Sequence, residues 1–289
     1  MPETLPGFDL APAVLPASEW CQRWRPAGWH VWRHLSGATI QPAEYRVRPI
    51  GTNIAKPFVL GFHYSGRYPV ATRRFGLYRC GDLVGVAAFG NPVSVHVLPK
   101  AFPTLQPYRQ STELLRFILT DDVPANGESW FLARCFEALR EDGFRGIVSH
   151  SDPVPRRRRD GSILYPGHIG TIYQASNAVY AGRTKAHVID VLADGTLPHP
   201  RALSKARNGE RNGLTAVRQL EAHGATPLQA GQHTAEWLAG ALSELGANKQ
   251  QHAGQHRYLF ALDRRVRLGY GLTRRADPSA YPKAVDVAA

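Results

Sequence analysis

The sequence predicts an α/β fold in which one central sheet carries helices on its faces, and three observations predict it. Between residues 56 and 177, apolar runs of strand length alternate with segments of helical periodicity, in the order helix, hairpin, strand, helix, strand, helix. Two of the runs meet at a glycine-aspartate pair, a hairpin signal. A third run, "FRGIVSHSDP", is apolar and then polar, as in a buried strand whose carboxyl end faces a ligand.

Each element has its own grounds. "KPFVLGFHYSGR" reads as a short helix from residue 56, with Pro57 in its first turn and Gly66 ending it. "RRFGLYRCGDLVGVAAFG" places two apolar stretches around Gly81-Asp82, and "STELLRFILTDD" reads as a further strand. "ESWFLARCFEALREDG" sets Phe131, Leu132, Cys135, Phe136 and Leu139 on one helical face, with Gly143 after its end. "GHIGTIYQASN", residues 167 to 177, opens a short helix with two glycines around His168. Beyond residue 195, "RALSKARNGERNGLTAVRQLEAHG" is a polar, basic, helical segment. An amphipathic helix follows around Trp237 to Leu245, and then a strand in "GQHRYLFALDRR".

The chain has 289 residues, enough for one large core or one core with additions. It divides into a Trp/Arg-rich extension at 1–50, a core at 51–195, and a basic helical segment with a terminal strand at 196–289 that completes the domain. Lys plus Arg exceed Asp plus Glu by 35 − 23 = 12. That imbalance points to a polyanionic partner, nucleic acid first, or to a merely solubilising surface. Cys21, Cys80 and Cys135 are odd in number and form no CxxC pair. They exclude a disulfide framework or zinc ribbon and fit a reducing cytoplasm. The amino terminus, "MPETLPGFDLAPAVLP", is acidic and proline-broken, unlike a signal peptide, and no apolar run reaches the length of a membrane span.

Residues 17 to 34 hold four of the six tryptophans among Arg and His. They either stack on bases or fold against the core. Ser149, Ser151 and Asp152 fall at the carboxyl end of a central strand, where open α/β sheets bind ligands. Gly167 and Gly170 allow close backbone approach beside His168 and Tyr173, or simply make a tight turn on which Tyr173 packs. Arg116 interrupts an apolar strand, so its charge needs a partner: Glu113 or Asp152, or an anionic ligand. Ser129 either caps the helix it opens or helps hold that ligand. Arg156, Arg157, Arg158 and Arg159 form a solvated loop or a phosphate clamp.

In this order, "FHYSGR", "FGLYRCGDLVGVAAFG", "ELLRFIL", "IVSHSDP" and "GHIGTIYQASNAVYAG" resemble the Mom proteins of bacteriophages, over residues 56 to 183, with further likeness in "SKARNGER" and "GQHRYLFALDRR". The resemblance implies a divergent GNAT acyltransferase fold with a central mixed sheet. It also implies transfer of a methylcarbamoyl (acetamido) group to N6 of adenine in double-stranded DNA, which protects phage DNA from restriction. A base inside a duplex must be flipped out for such chemistry. On the resemblance, His63, Tyr64, Asp152 and Tyr173 do the catalytic work. Arg116, Ser129, Asn126 and Gly127 hold the donor, for which acetyl-CoA is implied. The four arginines with Lys205, Arg207 and Arg211 meet the phosphates.

Two features depart from ordinary acetyl transfer. "TDDVPANGESW" lacks the Arg/Gln-x-x-Gly-x-Gly/Ala turn that holds the CoA pyrophosphate in ordinary GNAT enzymes. The family product joins N6 to a CH2 and not to a carbonyl carbon, which implies an extra activation step. His63, Asp152 and His168 are ligand types that suit iron for that step. Two other readings stay open. One is a conventional N-acyltransferase acting on an amine or a modified base. The other is a non-catalytic DNA-binding protein, which accounts for the charge and the tryptophans and leaves His63, Tyr64, Asp152 and the 167–177 turn without a role.

Overall fold

The computed structural model describes residues 20–21, 33–34, 39–63, 67–120, 122–157, 163–165, 167–210 and 213–283; at 20–21, 33–34, 156–157 and 163–165 only the backbone is described. In chain order the elements begin with two short paired strands, β1 (Trp20–Cys21) and β2 (Arg33–His34), then β3 (Tyr45–Pro49) and α1 (Thr52–Phe62). Next come β4 (Ala71–Arg79), β5 (Asp82–Gly90), α2 (Val97–Ala101), β6 (Ser111–Leu119), α3 (Gly127–Glu141) and β7 (Gly146–Ser151). The small strands β8 (Arg156–Arg157) and β9 (Ile163–Tyr165) precede α4 (Thr171–Ala175), β10 (Val179–Arg183) and β11 (His187–Val191). Three helices follow, α5 (Pro200–Arg207), α6 (Leu214–Ala222) and α7 (Thr234–Glu244), and then β12 (Asn248–His252) and β13 (His256–Ala261).

The chain forms two compact units, the first built from residues 1–153, 166–184 and 255–289, the second from 154–165 and 185–254. These do not follow the three segments read from the sequence. The first unit holds a seven-stranded mixed sheet in the order β10-β13-β7-β6-β5-β4-β3. Every neighbouring pair is antiparallel except β6 with β7. The expected central mixed sheet flanked by helices is therefore present.

Strand alternation sorts the core. Leu114, Ile147, Tyr258 and Phe260 pack with Phe131, Leu132, Cys135 and Leu139 of α3, whose apolar face is the one read from the sequence. The opposite parity, Val148 and Leu259, packs with Leu98, Ala101 and Phe102. In the second unit, Leu203 and Ala206 of α5, Val217 and Leu220 of α6, and Trp237 and Leu238 of α7 form a separate helical core, while β11 pairs with β12.

Several expectations shift. The first helix starts at Thr52, so Pro57 lies in its interior. The lost N–H bond is offset by burial of Ala55, Phe58 and Val59 at helical spacing against Val86. The hairpin turns at Cys80 and Gly81, both with positive φ (50° and 100°) as a primed turn requires, which leaves Asp82 to begin β5. The basic segment is two helices, parted after Asn208 at Gly209, whose φ is 66°. Gly66 lies outside the described residues. Among the described residues no helix is long and apolar enough to cross a membrane.

Phe131 is fully buried, with its ring centroid 5.4 Å from that of Phe117. Phe131→Ala is expected to cost about 3 to 5 kcal/mol of unfolding free energy, read from urea denaturation of wild type and variant.

Candidate functional site

β6 and β7 pair over four residues, from Ser111 opposite Gly146 to Leu114 opposite Ser149, and then part. The cause lies on the other edge of β6. Ala88 of β5 faces Arg116 while Phe89 faces Leu114, so Leu115 is an extra, bulged residue. Beyond the bulge β6 is paired only with β5, and the last residues of β7, His150 and Ser151, are paired only with β13. The two strands run parallel, so the sheet opens at their carboxyl ends, where the chain turns into loops.

Four of the expected residues gather at this opening. His63 ends α1, with its N–H on the carbonyl of Val59 at 2.9 Å, and is 7% exposed. Burial holds its imidazole well below the ordinary value of 6.5, and the nearby charges of Arg116 and then His168 push the same way. Arg116 follows the bulge directly. Its guanidinium donates to the carbonyls of Arg67 at 3.2 Å and Leu115 at 2.6 Å. Asp152, 5% exposed, follows β7, and its backbone carbonyl accepts the His168 N–H at 2.7 Å. That bond pins the glycine-bounded turn to the strand end.

Gly167 and Gly170 have φ of 78° and 76°, so both need glycine's freedom. A Cβ at Gly170 would also lie 2.7 Å from the Tyr258 ring and 3.0 Å from Ser151 Oγ. Tyr258 carries the turn, since its hydroxyl donates to the Ile169 carbonyl and accepts from Gln174 Nε2 at 3.1 Å. Burial raises its phenol pKa. The hydroxyls of Ser149 and Ser151 are buried on the same side, with no hydrogen-bond partner among the described residues. Tyr173 is 7% exposed and packs its ring against Tyr258 and Phe260, so it belongs to the aromatic core.

The start of α3 is built differently. Asn126 sits at the cap with φ 68° and makes no side-chain cap bond. A Cβ at Gly127 would lie 2.4 Å from Val123, and the Ser129 hydroxyl donates to the Asn126 carbonyl at 3.1 Å. Glu128 is buried in the first turn, so a carboxyl group already occupies this terminus.

Of the expected phosphate contacts, Lys205 and Arg207 lie in the last turn of α5, with Arg207 3.5 Å from Asp190. Arg156 and Arg157 are described as backbone, paired with β9. Tyr64, Arg158, Arg159 and Arg211 lie outside the described residues.

The metal set is corrected. Among the described residues, no three His, Cys, Asp or Glu side chains group to hold an ion, His63, Asp152 and His168 included. The Arg116 charge beside His63 works against a further cation there.

The sequence reading missed Tyr258 and Gln174, and it missed His150, whose Nδ1 lies 2.8 Å from Glu113 Oε1 across the parallel pair. Glu113 had been considered as a partner for Arg116. Period-two alternation in "IVSHSDP" was the available signal, because it puts His150 on the face opposite Ser149 and Ser151.

A mixed sheet opened at its one parallel pair, with His63, Arg116 and the buried Asp152 beside the gap, defines the chain as a mixed α/β protein. The chain belongs to the Mom protein family, whose model matches residues 44–283. No curated protein matches it. Similar solved structures include a tandem GNAT protein from the clavulanic acid biosynthesis pathway (11% identity, covering 76% of this chain and 99% of that one, TM-score 0.40). An N-acetyltransferase from Staphylococcus aureus Mu50 is also similar (11%, 76% and 99%, 0.31). So is a GNAT-like decarboxylase in complex with isobutyryl-CoA (14%, 75% and 100%, 0.30).

The lowered pKa of His63 has a defined pH signature. Between its folded and unfolded values the unfolded chain binds the extra proton, so stability is full above the unfolded value and falls as pH drops through it. Urea midpoints are expected to decline below about pH 6.5. The decline should be shallower in His63→Gln; equal slopes would show that His63 is not held neutral.

Proposed function

We propose that the chain transfers a methylcarbamoyl group to N6 of adenine in DNA. The observation that carries this reading is the gathering of His63, Arg116, Asp152 and His168 at the open end of β6 and β7, inside the span matched by the Mom family. An imidazole held neutral accepts a proton, and N6 must lose one when it is substituted. In this reading Arg116 supplies positive charge at the gap for an anionic donor, and Asp152 orients the acceptor.

The unpaired edges of β6 and β7 offer backbone donors and acceptors to an extended ligand with amides, such as the pantetheine arm of an acyl-CoA. The unpartnered hydroxyls of Ser149 and Ser151 add to that polar lining. An acyl-CoA, when bound, supplies an activated two-carbon unit. The buried Glu128 at the start of α3 argues for a different seat for its pyrophosphate. The amide of the product requires chemistry beyond acyl transfer. Lys205, Arg207 and Arg211, with Arg156 to Arg159, are the proposed phosphate contacts, in keeping with the net charge of +12.

Nucleosides from DNA of bacteria expressing the chain are expected to include an adenine heavier by an acetamide substituent, measured by mass spectrometry. His63→Gln and Asp152→Asn should each lower its yield about a hundredfold while the proteins stay folded. An acetyl adduct would indicate conventional N-acyl transfer. An unchanged nucleoside profile with folded protein would remove the proposal.

A further inference from the structure

The sheet's other face carries a second surface, in the first unit and outside the residues assigned above. After β13 the chain doubles back over that face as "DRRVRLGYGLTRR", residues 263 to 275. Val266 and Leu268 are buried among Leu98, Phe102, Val148 and Leu259. Gly269 is pressed onto α2, where its N–H donates to the Ala101 carbonyl at 2.8 Å and a Cβ would clash with the Lys100 carbonyl oxygen at 1.7 Å. The loop is thus fastened to the core at alternate positions.

What it presents outward is uniform in character. Arg264, Arg265, Arg267, Arg274 and Arg275 are all exposed, and no guanidinium among them has a carboxylate partner among the described residues. The local acids are otherwise engaged, Asp263 with Arg145 and Asp277 with Ser279. Amid these arginines Tyr270 stands on a left-handed backbone, φ 59°, next to Gly271 at 69°. A bulky residue is unfavourable in that conformation, which glycine or asparagine adopts readily. The ring buys no core packing there, being 43% exposed. The Arg257 guanidinium lies 4.7 Å from its centroid. Arg257 is registered opposite His150, two residues before Asp152, so the ring stands near the open end of the sheet.

Exposed arginines in one segment with an exposed aromatic ring match a nucleic acid that offers phosphates and a free base face. We infer that residues 264–275 form a DNA-docking surface: its arginines hold duplex phosphates, and Tyr270 stacks into the gap that an extruded base leaves. The stacking role rests on the adenine reading above, which supplies the extruded base that leaves such a gap, whereas the phosphate contacts do not depend on it.

The test uses the full chain and two fluorescein-labelled duplexes of one sequence, intact or with a single abasic site. Wild type should bind the abasic duplex about tenfold more tightly. Tyr270→Phe should keep that preference. Tyr270→Asn, which suits the left-handed backbone, should lose it without changing salt dependence. Replacing Arg264, Arg265 and Arg267 together by Ala should flatten the slope of log affinity against log salt by about two to three on both duplexes. Unfolding midpoints confirm that each variant is folded. An unaltered preference in Tyr270→Asn overturns the stacking role, and an unaltered slope in the triple variant overturns the phosphate role. A wild type that binds no DNA overturns this inference together with the adenine reading. DNA binding without any modified adenine in cells removes the adenine reading and leaves the docking surface standing.

Discussion

The release of β6 from β7 after four residue pairs is the constraint on which the site depends. Both are central strands, and breaking a ladder in the middle of a sheet strands backbone donors and acceptors that need other partners. The single extra residue at Leu115 achieves it, because a bulge bends its own strand and leaves the partner undisturbed. An unbroken ladder would keep Arg116 within a continuous sheet and close the gap now bordered by His63, Asp152 and His168.

The two faces beside the gap divide the chemistry. On the α3 side lies a layer of hydroxyl, amide and imidazole groups: Tyr258 on Ile169 and Gln174, Tyr180 with His256 at 2.8 Å, and the unpartnered hydroxyls of Ser149 and Ser151. Ionisable groups lie on the other side, among them Glu113 with His150 and Arg257 under Tyr270. Parity along β7 and β13 produces the division, because adjacent residues face opposite ways. Burying hydroxyl and amide groups costs little where they are hydrogen-bonded, as at Tyr258, whereas charges require a partner or an open edge. His63 follows the same logic. Buried near a guanidinium, it stays neutral.

Much of the fold is legible from local pattern. Phe131, Leu132, Cys135 and Leu139 recur at helical spacing and are the buried face of α3, and Gly143 follows it with a φ of 92°. The apolar-then-polar run of β7 puts Ser149, Ser151 and Asp152 where a strand end was read. Pro57 misled because a helix tolerates an interior proline when its other face is well buried. Tyr173 was ambiguous because the same turn serves a site or a core, and three-dimensional neighbours settle it into the core.

By itself the sequence determined the elements with strong periodicity, the basic balance, the residue types fit for a site, and the likeness to one family. Only the tertiary structure decided that β13, more than a hundred residues after β7, enters between β7 and β10 and supplies Tyr258 to one face and Arg257 to the other. It also decided that β6 bulges at Leu115 and that "RLGYG" lies against α2. Such pairings are bought with loop-closure entropy and repaid by contacts between residues far apart in the chain. Local hydrophobic periodicity records which face of a strand is buried, and nothing in it records which distant strand lies alongside.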